Sequence, residues 1–212
     1  MLIIEHPQDR RARRTQDAII AATVSLILEK GADAVTIRDI TERADYNRGT
    51  FYLHFPGKPE LLEFILEDFM QGVGQAYAKP YAELKEVDMT GLLPSTMPVF
   101  EYIEAHQDVF RALITMHGDM ALRLCNMFRT YLTEDFVLVT EDSEYTINYD
   151  IMLSYLISAT VGVIMHWAEI GFKYSAHYMG EQLTALINIK PTRLLIEPGQ
   201  KGRTIHERML LD

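Results

Sequence analysis

Between Thr36 and Lys58 the chain reads TIRDITERADYNRGTFYLHFPGK, an order of residues that few folds accommodate. Thr36 can cap the free amides of a helix start, and Asp39 suits the far corner of a capping box. Ile37, Ile40 and Ala44 then share one face of a short helix. Ala44-Asp45-Tyr46 reads as a tight turn, because Asp tolerates the left-handed backbone that such turns often need. Asn47 is a good N-cap for a following helix that reaches about His54. Phe51 and Phe55 point inward from it, and Pro56-Gly57 breaks it. Arg48, Gly49, Thr50 and Tyr52 are left facing outward. Two short helices joined by a turn, the second bearing groups suited to phosphate, form the layout of a DNA-reading helix-turn-helix.

The rest of the chain is helical in pattern nearly throughout, so the expected fold class is all-α. Ile19, Ala22, Thr23, Leu26 and Ile27 share a face of a first helix. Gly31 stops that helix, with Lys30 in its last turn. Pro59 suits the first turn of a fourth helix. Leu62, Ile65, Leu66, Phe69, Met70 and Val73 carry this helix to about Ala78, before Pro80. Further helices are expected over about 92–106, 108–117, 119–135, 149–171 and 175–188, the first kinked or starting late because of Pro94 and Pro98. Residues 136–148 read as a loop with an acidic centre. The domain boundary is placed near residue 60, giving a head of residues 1–60, a body of 61–190 and a tail of 191–212 to which no structure is assigned.

The net charge of −10 at first argues against a nucleic-acid partner. Its distribution reverses that reading. Residues 1–60 hold 9 basic and 9 acidic side chains, leaving 11 basic and 21 acidic beyond them. Four of the nine basic residues, Arg10, Arg11, Arg13 and Arg14, form one cluster. A neutral head with a basic arm on an acidic body fits a DNA-facing module. The single cysteine, Cys125, excludes an intrachain disulfide and reads as a buried thiol. The apolar run at Met1–Ile4 is too short for a signal peptide. The stretch from Ile151 to Ile170 is interrupted by Ser154, Tyr155, Ser158, Thr160, His166 and Glu169, and reads as a core or interface helix. A cytoplasmic location is expected.

Residues 12–66 resemble the TetR family of bacterial transcriptional regulators in one continuous register. The likeness runs through the basic arm, Ala22, Glu29-Lys30-Gly31, Thr36-Ile37-Arg38-Asp39-Ile40, Gly49-Thr50-Phe51-Tyr52-Leu53-His54-Phe55 and Lys58. From about Val99 to Ile187 the chain is similar to the C-terminal body of that family, most of all to a subgroup typical of Firmicutes. The resemblance implies an N-terminal three-helix DNA-binding domain and a larger helical domain for effector binding and dimerisation. Asp45 stands where many relatives carry Gly, a departure Asp can accommodate. Arg48-Gly49 is a subgroup-like variant at the head of the reading helix.

Within this frame Arg48 is placed to read guanine bidentately. Asn47 can read adenine but suits the cap better. Gly49 permits close approach to DNA, and Thr50 can meet a thymine methyl or a phosphate. Tyr52, His54 and Lys58 read as a phosphate clamp. Thr36 can donate at the N-terminus of its helix, where the dipole favours an anion. Arg38 resembles a position that reaches base or backbone. The Arg10–Arg14 arm is expected along the minor groove or against phosphates.

In the body, Ile151, Tyr155, Ala159, Gly162, Val163 and His166 form one stripe of a helix expected to pair with a second copy, since half-sites need a two-fold partner. The resemblance implies an effector pocket among helices four to eight, for which Met116, His117, Met120, Phe128, Met165 and Trp167 are candidates. His166 and Glu169 are spaced as metal ligands can be, but read as a surface or interface pair, so no metal and no cofactor is expected. The preferred reading is a repressor that binds a palindromic operator as a homodimer and is released by a small-molecule effector. The rivals are a TetR-like activator or coactivator working through a protein partner, and a helical enzyme. No nucleophile motif, phosphate loop or paired ligand set supports the enzyme.

Overall fold

The short helices end where the sequence places their caps and breakers. The structure, a computed structural model, describes residues 7–82, 84, 96–134 and 148–188. The expected loop over 136–147, the start of the fifth helix at 92–95, the run Met1–Ile4 and the tail 191–212 lie outside the described residues. Among the described residues the regular elements are helices only. They are α1 (Pro7–Lys30), α2 (Ile37–Ala44), α3 (Arg48–His54), α4 (Lys58–Ala78), α5 (Thr96–Ala105), α6 (Gln107–Met116), α7 (Met120–Glu134), α8 (Tyr149–Glu169) and α9 (Ala176–Asn188).

Helix α1 buries Ile19, Ala22, Val24, Leu26 and Ile27, with Thr23 beside them. The Thr23 hydroxyl is satisfied by donating to the Ile19 carbonyl at 2.7 Å. Gly31 ends the helix at φ 79°, a conformation glycine takes without a Cβ penalty, and a 3-10 turn, Ala32–Ala34, leads to α2. Helix α1 starts far earlier than the periodicity of its apolar face suggested. Arginine, glutamine and alanine are good helix formers, so the polar segment before Ile19 simply continues the helix.

Helix α2 packs on α1, α4 on α5 and α7, α5 on α9, and α7 on α8, while α1 also reaches α6. One apolar core therefore runs from Ile19 to Leu183 through all of these elements. Its aromatic centre is Phe69 of α4, stacked on Phe110 with centroids 5.2 Å apart and 5.8 Å from Tyr102. Trp167 of α8 is fully buried against Phe100 and Phe172, and its indole N–H donates to the Tyr174 carbonyl at 2.9 Å. Helix α4 keeps glycine where two tyrosines cross it. Tyr102 of α5 lies over Gly72, and Tyr131 of α7 lies over Gly74.

A methyl group at Gly72 would occupy the space of the Tyr102 ring. Gly72→Ala is expected to cost about 1–3 kcal/mol in chemical denaturation through overpacking. In a Tyr102→Ala background that cost should largely vanish. Strictly additive losses in this double-mutant cycle would show that the ring does not depend on the groove.

Candidate nucleic-acid interface

Helices α2 and α3 are built from their ends inward. The Thr36 side chain accepts from the Asp39 amide at 3.2 Å, and the Asp39 carboxylate accepts from the Thr36 amide at 2.8 Å, so the capping box is complete. Asp45 takes the left-handed conformation at φ 58°, ψ 43° that the turn requires. Asn47 caps α3, its Oδ1 accepting from the Thr50 amide at 2.8 Å. Phe51 and Phe55 are buried, with Phe55 edge-on to Phe64 of α4 at 5.6 Å. The inward face and both caps thus agree with the sequence reading.

Ion pairs pin α2 to α1. The Arg43 guanidinium donates to both Glu29 carboxylate oxygens at 2.7 and 2.8 Å and to Ser25 Oγ at 2.8 Å. Lys30 meets Asp39 Oδ2 at 2.9 Å. The Arg43 hydrogen bonds hold the Glu29 carboxyl down at about 2, with Ser25 and Lys30 assisting. Lys30, then Thr36, hold Asp39 well below the usual carboxylate range. Sequence reasoning did not reach these contacts, because they depend on the docking angle of two helices. The identities of Glu29 and Arg43 do mark charged positions that face each other once that angle is known.

The outward residues divide by what already engages them. Arg48 is exposed at the start of α3 and makes no hydrogen bond or ion pair among the described residues. Tyr52 is exposed, and His54 is half-buried beside Phe55. Asn47 spends its carbonyl on the cap, accepting also from the Thr50 hydroxyl at 3.2 Å. A Cβ at Gly49 would sit 3.2 Å from that same carbonyl, so the glycine clears space for the cap as well as for DNA. Arg38 Nε donates to Glu42 at 2.7 Å, one turn along α2. Leu53, which sequence reasoning passed over, is the most exposed large apolar side chain described (85%) and lies one turn beyond Gly49 on the same face. Its place in the helical register was the available signal.

Three placements differ from the sequence reading. Lys58 does not simply project outward. Its ammonium donates to the Ala32 carbonyl at 2.6 Å, tying the start of α4 to the turn after α1. The Thr36 hydroxyl already donates to Asp39 Oδ2 at 2.7 Å, so the anion at the α2 N-terminus is the chain's own carboxylate. Arg10, Arg11, Arg13 and Arg14 are exposed on the first turns of α1 and do not form a separate extended arm. A minor-groove strand is therefore not what they offer; a basic helix end is.

In the body, Met120, Phe128 and Trp167 are core residues, and Met116, His117 and Met165 are half-buried. None of these six lines the large described cleft of about 610 Å³, which lies instead between α1 and helices α4–α6. His117 Nε2 is buried without a hydrogen-bond partner, the one such side-chain atom among the described residues. Burial raises the pKa of Cys125, as expected for a structural thiol. His166 Nδ1 lies 3.8 Å from Glu169. No group of three or more metal-ligating side chains occurs among the described residues. On α8, Ile151 (67% exposed), Tyr155 (69%), Ala159, Gly162 and His166 are all open to solvent, and Val163 is half-buried.

Residues 19–65 match the family of bacterial regulatory proteins called tetR, and residues 92–189 match a transcriptional regulator C-terminal region. The repressor KstR2 of Mycolicibacterium smegmatis is 27% identical over 196 residues, covering 85% of this chain and 91% of KstR2. The regulator YxbF of Bacillus subtilis is 20% identical over 190 residues, 89% of this chain but only 49% of YxbF, so the chain spans about half of that relative's length. Two solved structures share the fold. A TetR transcriptional regulator from Streptococcus agalactiae is 20% identical, with a TM-score of 0.52 and coverage of 85% of this chain and 97% of that one. The regulator PfmR of Thermus thermophilus is 15% identical, with a TM-score of 0.55 and coverage of 80% and 96%. The helix-turn-helix, the helices described in the body and these matches together define a helical transcription regulator. The chain belongs to the TetR family, whose members are regulators and not enzymes.

The exposed Glu29–Arg43 pair makes a small, solvent-screened part of the head's stability sensitive to acid. A carboxyl held below its unfolded value contributes stability that is complete above the unfolded pKa and is lost as pH falls through the folded one. For Glu29 that window runs from 4.5 down to about 2. In Arg43→Gln the Glu29 carboxyl should titrate back in the ordinary range, as followed by carbon-13 NMR. An unchanged Glu29 titration would mean that the pair does not persist in solution.

Proposed function

We propose that this chain is a repressor that binds a roughly palindromic operator as a homodimer and is released when a small-molecule effector binds the body. The observation that carries the reading is the start of α3. There Asn47 satisfies the helix cap internally and leaves Arg48 exposed with no partner of its own. A free guanidinium at the N-terminus of a reading helix suits bidentate recognition of guanine O6 and N7. Thr50 and Leu53 offer contact to a thymine methyl. Tyr52, His54, Lys58, Thr36 and Arg38 supply the backbone contacts, and the basic first turns of α1 add to them. Residues 1–60 act as the head and 61–190 as the body, in the cytoplasm where the operator lies. The named repressors among the relatives favour repression.

The dimer reading rests on α8. It is long and apolar enough to cross a membrane by length and composition, yet only 33% of its apolar window is buried within the protomer. The buried part faces the core through Leu153, Ile157, Val161, Ile164 and Trp167. The opposite stripe of Ile151, Tyr155, Ala159, Gly162 and Val163 is left for a second copy, with small residues that allow close approach. Two heads related by a two-fold axis then meet half-sites about 34 Å apart, or a multiple of that.

Selection of bound fragments from random duplex DNA tests the DNA reading. A symmetric consensus is expected, and none should emerge if the head does not read sequence. Arg48→Ala should relax preference at a guanine position, a loss of about 1–3 kcal/mol there. An unchanged consensus would remove Arg48 from base reading. Lys58→Ala should weaken all sequences about equally and lower the unfolding midpoint as well, because it also frees the Ala32 carbonyl.

For the dimer, Tyr155→Asp is expected to shift the protein from dimer to monomer in gel filtration at micromolar concentration while the helical circular-dichroism signal is kept. A wild-type protein that elutes as a monomer would overturn the assignment of α8.

A further inference from the structure

The large apolar side chain that stands furthest into solvent among the described residues is on the reading helix: Leu53 is 85% exposed. A single exposed leucine is ordinary on a protein surface; the informative part is where this one sits. Helix α3 is anchored by Phe51 and by Phe55 at its C-cap, both buried. At about 100° per residue, Leu53 lies about 160° from each of them, so it points away from the core. In a helix-turn-helix that side of the second helix is offered to the major groove.

Its neighbours leave Leu53 outermost. Gly49, one turn earlier on the same face, has no side chain, and a Cβ there would meet only Asn47 Oδ1, at 3.2 Å. Thr50 is half-buried, and its hydroxyl donates to that same oxygen at 3.2 Å. Tyr52 sets its ring edge-on to Phe51, with centroids 5.5 Å apart. Leu53 belongs neither to the core nor to the apolar side chains packed against it. Leucine is a good helix former, but alanine is a better one and leaves less apolar surface in water. The helix itself therefore gives no reason for leucine here.

The chemistry of the side chain selects what it can read. Leucine has no donor and no acceptor, so it cannot tell the O4 of thymine from the N4 amino group of cytosine by hydrogen bonding. What it favours is apolar surface, and in the major groove that surface is the C5-methyl group of a pyrimidine. We propose that Leu53 reads the C5-methyl group of one pyrimidine in each half-site, accepting thymine and 5-methylcytosine and disfavouring uracil and unmethylated cytosine. The inference rests on the DNA reading of α3 and adds to it a dependence on base methylation.

The test starts from the consensus duplex that the full-length protein recovers from random DNA. Each thymine of one half-site is replaced in turn by deoxyuridine, which removes the methyl group and keeps the pairing edge. Binding is followed by fluorescence anisotropy. One position should weaken binding about fourfold, the effect of one buried methyl group, and about fifteenfold when both half-sites carry the change. At that position a 5-methylcytosine–guanine pair should bind about fourfold more tightly than a cytosine–guanine pair. Both differences should vanish in Leu53→Ala. They should survive in Leu53→Met, which keeps the apolar bulk, and in Thr50→Ser, which removes the other methyl group at hand. Circular dichroism confirms that each variant keeps its helices. If the wild-type protein binds its consensus and no uracil substitution matters, or if the methyl preference persists in Leu53→Ala, the assignment of Leu53 falls and the DNA reading stands. If no consensus emerges, both fall.

Discussion

Helices α2 and α3 have 8 and 7 residues, well below the ~12–15 at which an isolated helix holds in water. Everything the head presents to DNA therefore depends on support from elsewhere. The caps at Thr36 and Asn47 satisfy amides that would otherwise be orphaned. Arg43 and Lys30 fix α2 on α1, and Phe55 fixes the end of α3 on α4 through Phe64. The two supporting helices are not private to the head. Helix α1 continues to α6, and α4 to α5 and α7. The aim of Arg48 is thus a property of the whole core, and a shift in how the body packs has a direct physical route to α3.

The devices legible in the sequence were those that act within one turn of helix. The capping box, the left-handed Asp45, the Asn47 cap and the inward Phe51 and Phe55 all depend on neighbours three or four residues away, where spacing alone settles the contact. The contacts that escaped were long in sequence. Lys58 finds a carbonyl 26 residues back, and Arg43 finds Glu29 at a separation of 14. Both need the angle between helices, which periodicity does not carry. The exposed stripe on α8 was legible as a stripe because Ile151, Tyr155, Ala159 and Gly162 recur at helical spacing. The cleft was not, since its walls come from four helices and its residues have no common spacing.

The DNA-facing groups are unequal in what contact with DNA would cost them. Thr36 and Arg38 are held by Asp39 and Glu42, and Lys58 has given one of its donors to Ala32. A phosphate that engages them competes with an existing interaction, so its net gain is reduced by what is released. Arg48 releases nothing. Arg48 and Tyr52 are thus open to a new partner, whereas Thr36, Arg38 and Lys58 must exchange one.

The same reasoning bears on control. A ligand shifts a conformational equilibrium only by the difference in its affinity for the two states. A pocket walled by body helices alone senses the head through α4 and through the packing of α6 on α1. The cleft beside Phe69 has α1 as one wall, and α1 carries Glu29 and Lys30, the residues that hold α2. Any motion of the head against the body changes the width of this cleft. A molecule seated there must favour one head position over another unless it touches one wall only.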